Sequence, residues 1–185
     1  SRNHISFQDE TAILKALNNI KLHFEYNSNT LKSDIFLNGE NVELLIREMQ
    51  VSSKVSEVAA IAAVRDFAVA QQQAMGQQKG IVMDGRDIGT VVFPNAELKI
   101  FVTAQPEIRA NRRYLELQAT DPSITMEAVA ENLQHRDHID STREHSPLKQ
   151  AEDAQVLDNS NMDRAAQFEI AFNWAKESID KIKNL

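Results

Sequence analysis

The sequence predicts an α/β protein in which helices flank a parallel sheet, with a small antiparallel β insert near the start. From residue 53 onward the predicted order is helix, strand, strand, helix, helix, strand, helix, which is typical of α/β folds. The predicted strands at 81–83 and 98–102 are short and rich in β-branched residues, as buried parallel strands are. The antiparallel part is predicted by strict alternation of apolar and polar residues from 20 to 26.

The predicted insert follows a helix over residues 9–19. The alternating strand at 20–26 leads to a second strand at 34–37. Asn38-Gly39 then gives a strong signal for a two-residue hairpin turn, and a third short strand is expected at 40–42. These three strands are expected to form an antiparallel sheet.

Most of the remaining chain is predicted to be helical. A long helix over 53–75 would be capped by Ser52 or Ser53. Pro106 is placed for the first turn of a helix ending near 118, and Thr125 would cap another that reaches about residue 140. A strand at 154–157 and a helix at 164–183 complete the pattern.

Composition narrows the class of protein. Of 185 residues, 42% are hydrophobic and 25% charged, as in soluble globular proteins. The net charge of −7 argues against a nucleic-acid-coating role, which needs a basic surface. The absence of cysteine excludes disulfides and thiolate metal sites and fits the cytoplasm. No apolar run approaches the ~20 residues of a membrane span, so neither nucleic acid nor membrane is expected as a partner.

The stretch 80–92, GIVMDGRDIGTVV, is the first candidate site. Ligands of open α/β sheets bind just beyond the carboxyl ends of the strands, and charged residues follow the predicted strand there. Arg86 could bind a phosphate through its planar fork, and Asp87 could accept hydrogen bonds from an amino group. Asp84 could hold Arg86 in place or face a metal. The alternative is a polar turn whose charges pair with one another.

Three arginines of the helix after Pro106 form a second candidate. Arg109, Arg112 and Arg113 lie at i, i+3 and i+4 and share one face. Adjacent cations repel unless an anion compensates them, and a polyphosphate would do so. The alternative is a solvated surface stripe.

A third candidate is Arg136, Asp140 and Arg143, at i, i+4 and i+7. They could form a pocket wall that contacts a phosphate or sugar, or a simple salt-bridge ladder worth ~0.3–0.5 kcal/mol per pair. Arg65 lies among apolar neighbours and needs a partner, and Ser56 lies two and a half turns earlier. His135 and His138 have a spacing that metals use, but no third ligand is evident, so no metal site is predicted.

These residues resemble the bacterial cytidylate kinase (CMP kinase) family, one of the nucleoside monophosphate kinases. The segments that carry the resemblance are, in chain order, SSKVSEVAAIAAVR at 52–65, GIVMDGRDIGTVVFPNAELKIFV at 80–102, RANRR at 109–113, RDHIDSTREHSPL at 136–148 and VLDNS at 156–160. The resemblance covers essentially the whole sequence, and this combination of motifs is specific.

The resemblance implies a P-loop nucleoside monophosphate kinase fold that moves the γ-phosphoryl group of ATP to CMP or dCMP with Mg²⁺. The roles it implies are cytosine contact for Ser56, Arg65 and Asp87; the sugar side for Arg136 and Asp140; the acceptor phosphate for Arg86 and Arg143; and a lid over the ATP phosphates for Arg109, Arg112 and Arg113. A monomeric, cytoplasmic enzyme of pyrimidine nucleotide metabolism is expected.

The implied organisation is a single kinase domain over residues 1–185. Residues 20–75 would form the insert and helix on the monophosphate side, 76–104 and 150–185 the core, and 105–149 the lid and monophosphate-contacting helices. The family's phosphate-binding loop, G-x-x-x-x-G-K-[ST], has no match in this sequence. We therefore expect the sequence to begin after that loop, and the chain on its own to be inactive.

Two other functions remain open at this stage. The chain could be a non-catalytic nucleotide-binding or assembly domain derived from a kinase. It could also be a related small-molecule kinase with another acceptor, which a comparison of CMP and dCMP with UMP and AMP would reveal.

Overall fold

The computed structural model describes residue 6 and residues 9–184. The described residues form two compact units. Of the described residues, the first unit comprises those up to Val82 together with Thr142–Ser146, and the second comprises Met83–Ser141 and those from Pro147 to Asn184. The elements match the predicted class: a parallel pair of strands, flanking helices and a separate antiparallel sheet.

The first unit contains the predicted antiparallel insert. Strands β1 (Leu22–Asn27) and β2 (Lys32–Leu37) pair antiparallel, and β3 (Glu40–Asn41) pairs with β2. The predicted turn is confirmed, since Asn38 has φ +52° and Gly39 has φ +83°, the left-handed pair that a tight hairpin requires. Alternation predicted a half-buried strand, but Phe24 and Tyr26 of β1 are exposed. Alternation of apolar and polar residues places the apolar side chains on one face of the strand. Those side chains are buried only if other parts of the protein pack over that face.

The predicted long helix is two helices, α2 (Met49–Ala59) and α3 (Ala62–Met75). The break falls at Ile61, whose ψ of 120° is extended rather than helical. The predicted caps are also wrong: α2 begins one turn earlier, after Glu48, and Ser52 and Ser53 lie inside it. The helix α1 (Glu10–Leu17) is capped by Asp9 and contacts α3.

The second unit contains the parallel strands β4 (Ile100–Thr103) and β5 (Gln155–Asp158). Its helices are α4 (Pro106–Gln118), α5 (Met126–Thr142) and α6 (Arg164–Lys183). The first two begin near the predicted residues: Pro106 lies in the first turn of α4, and Thr125 Oγ1 accepts a hydrogen bond from the amide of Ala128 at the start of α5. Among the described residues, none of the helices combines the length and apolar character that a membrane span requires.

The predicted strand at 81–83 is not formed. Among the described residues this stretch joins no ladder, and Ile81 and Val82 are exposed. A strand is defined by hydrogen bonds to a neighbour, which a short apolar run cannot supply alone. A π-helical turn, Ile88–Val92, follows instead.

Each unit has its own core. The buried apolar residues are Ile13, Leu17 and Val42 in the first, and Val92, Ala110, Leu117, Val129 and Leu157 in the second.

Candidate functional site

Arg86 is held by two carboxylates of α5. Its Nη2 lies 3.2 Å from Asp137 Oδ1, and its Nε lies 3.1 Å from Asp140 Oδ2. Asp137 and Asp140 share one face of α5 because they are three residues apart. The acidic partners of Arg86 are therefore on this helix, whereas Asp84, its predicted neighbour in the turn, is exposed.

Asp137 also binds an arginine of α4. Its Oδ2 lies 2.5 Å from Arg109 Nη1, so its two oxygens contact Arg86 and Arg109 separately. Asp137 thus links the stretch 80–92 to the arginine-rich helix. The structure brings together Arg86, Arg109 and Asp140, which the sequence placed in three different candidate sites.

Arg136 adds positive charge to this cluster. Burial lowers the pKa of its guanidinium, and the nearby Arg86 and Arg113 lower it further, while Asp140 and Asp137 act in the opposite direction. The cause is that removing a cation from water and crowding it with others both disfavour the charged form. An anionic ligand would relieve this crowding, so the cluster is chemically suited to a phosphate.

Asp87 is only 2% exposed and directly precedes the π-helical turn Ile88–Val92. Its carbonyl oxygen accepts from the amide of Val91 at 2.9 Å and from the amides of Thr90 and Val92 at 3.3 Å. The π-helical turn therefore fixes the backbone of Asp87. A carboxylate buried in this way can distinguish hydrogen-bond donors from acceptors, because an unmatched partner there is costly.

The three arginines of α4 each contact a polar or acidic side chain. Arg109 binds Asp137, and Arg113 Nη1 donates to Glu116 at 2.8 Å on the same helix. Arg112 donates to Asn159 Oδ1 and to the carbonyl oxygen of Asn159, both at 2.8 Å. The hydrogen bonds of Arg109 and Arg112 therefore go to two different elements, α5 and the segment after β5.

Polar groups gather at the carboxyl ends of β4 and β5, where ligands of open sheets bind. The amide of Asn159 donates to the carbonyl of Thr103, and the amide of Gln105 donates to Ser160 Oγ. Ser160 donates from both its hydroxyl and its amide to Asp158 Oδ1, at 2.6 and 2.9 Å. These hydrogen bonds lower the pKa of the Asp158 carboxyl.

The other predicted site residues belong to the first unit. Ser56 of α2 is 4% exposed, and the Nε atom of Arg65 in α3 is buried. Arg143 donates from Nε and Nη2 to the carbonyl of Ser146 at 2.8 and 2.6 Å. Ser146 has φ +53°, so this arginine stabilises a left-handed turn.

The sequence analysis missed Asp137 and Asn159. Asp137 is three residues before Asp140 and therefore shares its helix face, a spacing that was available from the sequence. Asn159 lies directly after β5, at the edge where ligands of such sheets bind. His135 and His138 are exposed, and the described residues include no group of three side chains able to hold a metal ion.

Comparison with known proteins decides the family. A model of the family described as "Cytidylate kinase" matches residues 1–177. The chain belongs to the cytidylate kinase family. A cytidylate kinase of Bacteroides thetaiotaomicron is 53% identical over 174 residues, which cover 94% of this chain and 74% of that protein.

Two further relatives have the same name. The cytidylate kinase of Parabacteroides distasonis is 57% identical over 83% of this chain and 67% of its own length. That of Flavobacterium johnsoniae is 52% identical over 88% of this chain and 70% of its own length. The resemblance inferred from the motifs is thus confirmed, and the chain belongs to a family of phosphotransferases. The non-catalytic domain and the kinase with another acceptor are not favoured.

Proposed function

We propose that a protein containing this cytidylate kinase family chain and the family's phosphate-binding loop transfers the γ-phosphoryl group of ATP to CMP or dCMP, forming CDP or dCDP, whereas residues 1–185 alone, which have no match to that loop, do not. Beyond family membership, the observation that carries the proposal is the position of Arg86. It directly precedes the buried Asp87 in the chain, and two carboxylates of α5 contact its guanidinium. A base-reading acid thus lies beside a phosphate-binding cation.

Asp87 is proposed to read cytosine, together with Ser56 and Arg65. Its carboxylate would accept a hydrogen bond from the cytosine amino group, as acids do when proteins read this base. Uracil presents a carbonyl at the same position, and two facing acceptors are unfavourable. The burial of Asp87 supports this role, because water cannot then substitute for the missing donor.

Arg86 and Arg143 are proposed to hold the acceptor phosphate, and Arg136 and Asp140 to serve the sugar. The two carboxylates on Arg86 use its Nε and Nη2 atoms. Because a guanidinium carries five N–H donors, donors remain for a phosphate. Asp137 and Asp140 fix the plane of this group before the ligand arrives, so less ordering is needed on binding.

The donor side is proposed to involve Arg109, Arg112 and Arg113, which would form a lid over the ATP phosphates. Phosphoryl transfer depends mainly on positioning and charge neutralisation, which arginines supply. Closure of such a lid would also exclude water from the γ-phosphate. The part of the chain that the structure describes has no cluster of side chains that would hold a metal ion. This is compatible with Mg²⁺, because that ion keeps waters and substrate phosphates as most of its ligands, and it would add charge neutralisation on the ATP.

The proposed organisation is a single kinase domain of residues 1–185. Residues 20–75 would serve the monophosphate side, 76–104 and 150–185 the core, and 105–149 the lid. We also propose that the protein acts as a cytoplasmic monomer in pyrimidine nucleotide metabolism.

The test is ³¹P NMR of the full-length protein mixed with ATP, Mg²⁺ and CMP. The expected result is that CDP and ADP form in equal amounts. Arg86→Ala should abolish most of this turnover, whereas Lys149→Ala, which removes an exposed cation from a loop of the same unit, should not. ADP formation without CDP would refute the proposal.

A further inference from the structure

Asp137 is not among the residues proposed to contact CMP or ATP, and the proposed function uses only its contact with Arg86. It is partly buried, with 24% of its side chain exposed. Each of its two oxygens contacts a different arginine, Arg86 at 3.2 Å and Arg109 at 2.5 Å. In the proposed function these two arginines serve different substrates, the acceptor phosphate and the ATP phosphates.

The arginines around Asp137 lie close enough to repel one another, and a negatively charged side chain among them offsets that repulsion. Arg86 and Arg113 both repel the charge of Arg136. Arg109 and Arg86 contact the same carboxylate, that of Asp137. Repulsion between unit charges is strong wherever water is partly excluded. A carboxylate placed between these cations allows them to remain close together when no nucleotide is bound.

The anchoring of the two arginines is unequal. Arg86 has a second anchor, since its Nε contacts the buried Asp140. Among the described residues, the ion pair of Arg109 is with Asp137. Loss of the Asp137 charge should therefore disturb Arg109 more than Arg86.

We infer that Asp137 is a positioning residue that links the acceptor-side Arg86 to the donor-side Arg109 and orients both for phosphoryl transfer. The inference rests on the proposed function, from which the roles of the two arginines come. Transfer requires the donor and acceptor phosphates to meet in a narrow range of geometries. One carboxylate shared by an arginine from each side is a direct way to fix that geometry.

The test is steady-state kinetics of Asp137→Asn in the full-length protein, with KM measured for CMP and ATP separately. The substitution keeps the size of the side chain and removes its charge. The expected result is a kcat about 10- to 100-fold lower, since a misplacement of ~1 Å has effects of this size. Both KM values should rise, that for ATP more than that for CMP.

Glu131→Gln is the matched control, because it removes one exposed carboxylate from the same helix. It should leave kcat and both KM values unchanged. The double variant Asp137→Asn with Arg109→Ala should be little slower than Arg109→Ala alone, because residues that act through one another are not additive. A purely structural role for Asp137 would instead give effects that multiply.

Several results would overturn the inference. These are wild-type kinetics in Asp137→Asn, a change in only one KM, or an equal loss in Glu131→Gln. If Asp137→Asn does not fold, Arg109→Lys provides the test: its weaker fit to Asp137 should raise the KM for CMP as well as that for ATP, and an unchanged KM for CMP would refute the link. A wild-type protein that forms no CDP would refute the proposed function and this inference with it, whereas normal wild-type turnover with an unaffected Asp137→Asn refutes the link alone.

Discussion

The Oδ2 atom of Asp140 lies 3.1 Å from the Nε atom of Arg86, and only 4% of the Asp140 side chain is exposed. A carboxylate so deeply buried needs a cationic partner, because an unpaired buried charge is strongly unfavourable. The pair joins α5 to the stretch that contains Asp87. The stability of this part of the fold and the orientation of a proposed phosphate ligand therefore depend on the same contact.

Asp140→Asn should destabilise the protein. The substitution leaves Arg86 without one of its two ionic partners. Removing a partner from a buried polar group is expected to lower the free energy of unfolding by about 1–3 kcal/mol. Urea denaturation measures this change. Glu131→Gln on the same helix should stay within about 0.5 kcal/mol of wild type, and an equally small effect in Asp140→Asn would contradict the structural role.

Asp87→Asn should weaken the choice of base. With the carboxylate intact, UMP should be disfavoured against CMP by roughly 1–3 kcal/mol, and an amide, which both donates and accepts, should narrow that gap. The measurement is the ratio of kcat/KM for CMP to that for UMP. Asp84→Asn changes an exposed neighbouring carboxylate and should leave the ratio unaltered. An active Asp87→Asn enzyme with the wild-type ratio would argue against this role.

Arg143→Lys should impair use of CMP. Arginine binds phosphate through a planar fork that lysine lacks, and the bonds from Nε and Nη2 to the Ser146 carbonyl would also be lost. The expected fall in kcat/KM for CMP is at least about tenfold, or about 1.4 kcal/mol. Lys149→Ala, which removes a cation outside the proposed site, provides the comparison. Wild-type values in Arg143→Lys would rule out a direct contact with the phosphate.

Ser160→Ala should raise the pKa of the Asp158 carboxyl. Ser160 donates to this carboxylate from its side chain and its backbone, and these bonds hold its pKa below the usual value. A carboxyl whose pKa is lower in the folded state contributes stability above its unfolded pKa of about 3.9 and loses that contribution as the pH falls through the folded value. NMR titration of the carboxyl carbon should therefore show a higher midpoint in Ser160→Ala. An unchanged midpoint would mean that the hydroxyl has no such effect.

Local signals predicted much of the fold. Asn38-Gly39 forms the expected turn because these two residue types tolerate the positive φ that two-residue hairpin turns use. Pro106 and Thr125 mark the starts of α4 and α5, since these residue types stabilise the first turn of a helix. The bounds of β5 and α6 likewise agree with the prediction to within a residue.

Features that depend on partners distant in sequence were not predictable in this way. The run at 81–83 has strand composition, but a strand also needs a neighbouring ladder. The break between α2 and α3 has neither glycine nor proline to mark it. Asp137 gains its importance from Arg86 and Arg109, which come from a turn and another helix. The spacing of charged residues along α5 predicts which of them share a face of the helix. It does not predict which cations from other elements contact that face.

The most direct test of the account is acceptor preference. Initial rates of the full-length protein should be measured with ATP and Mg²⁺ against CMP, dCMP, UMP and AMP as acceptors. The account predicts that kcat/KM for CMP and dCMP exceeds that for UMP by roughly 10- to 100-fold, which corresponds to the cost of an unmatched acceptor at Asp87. Equal or faster turnover of UMP or AMP would contradict it.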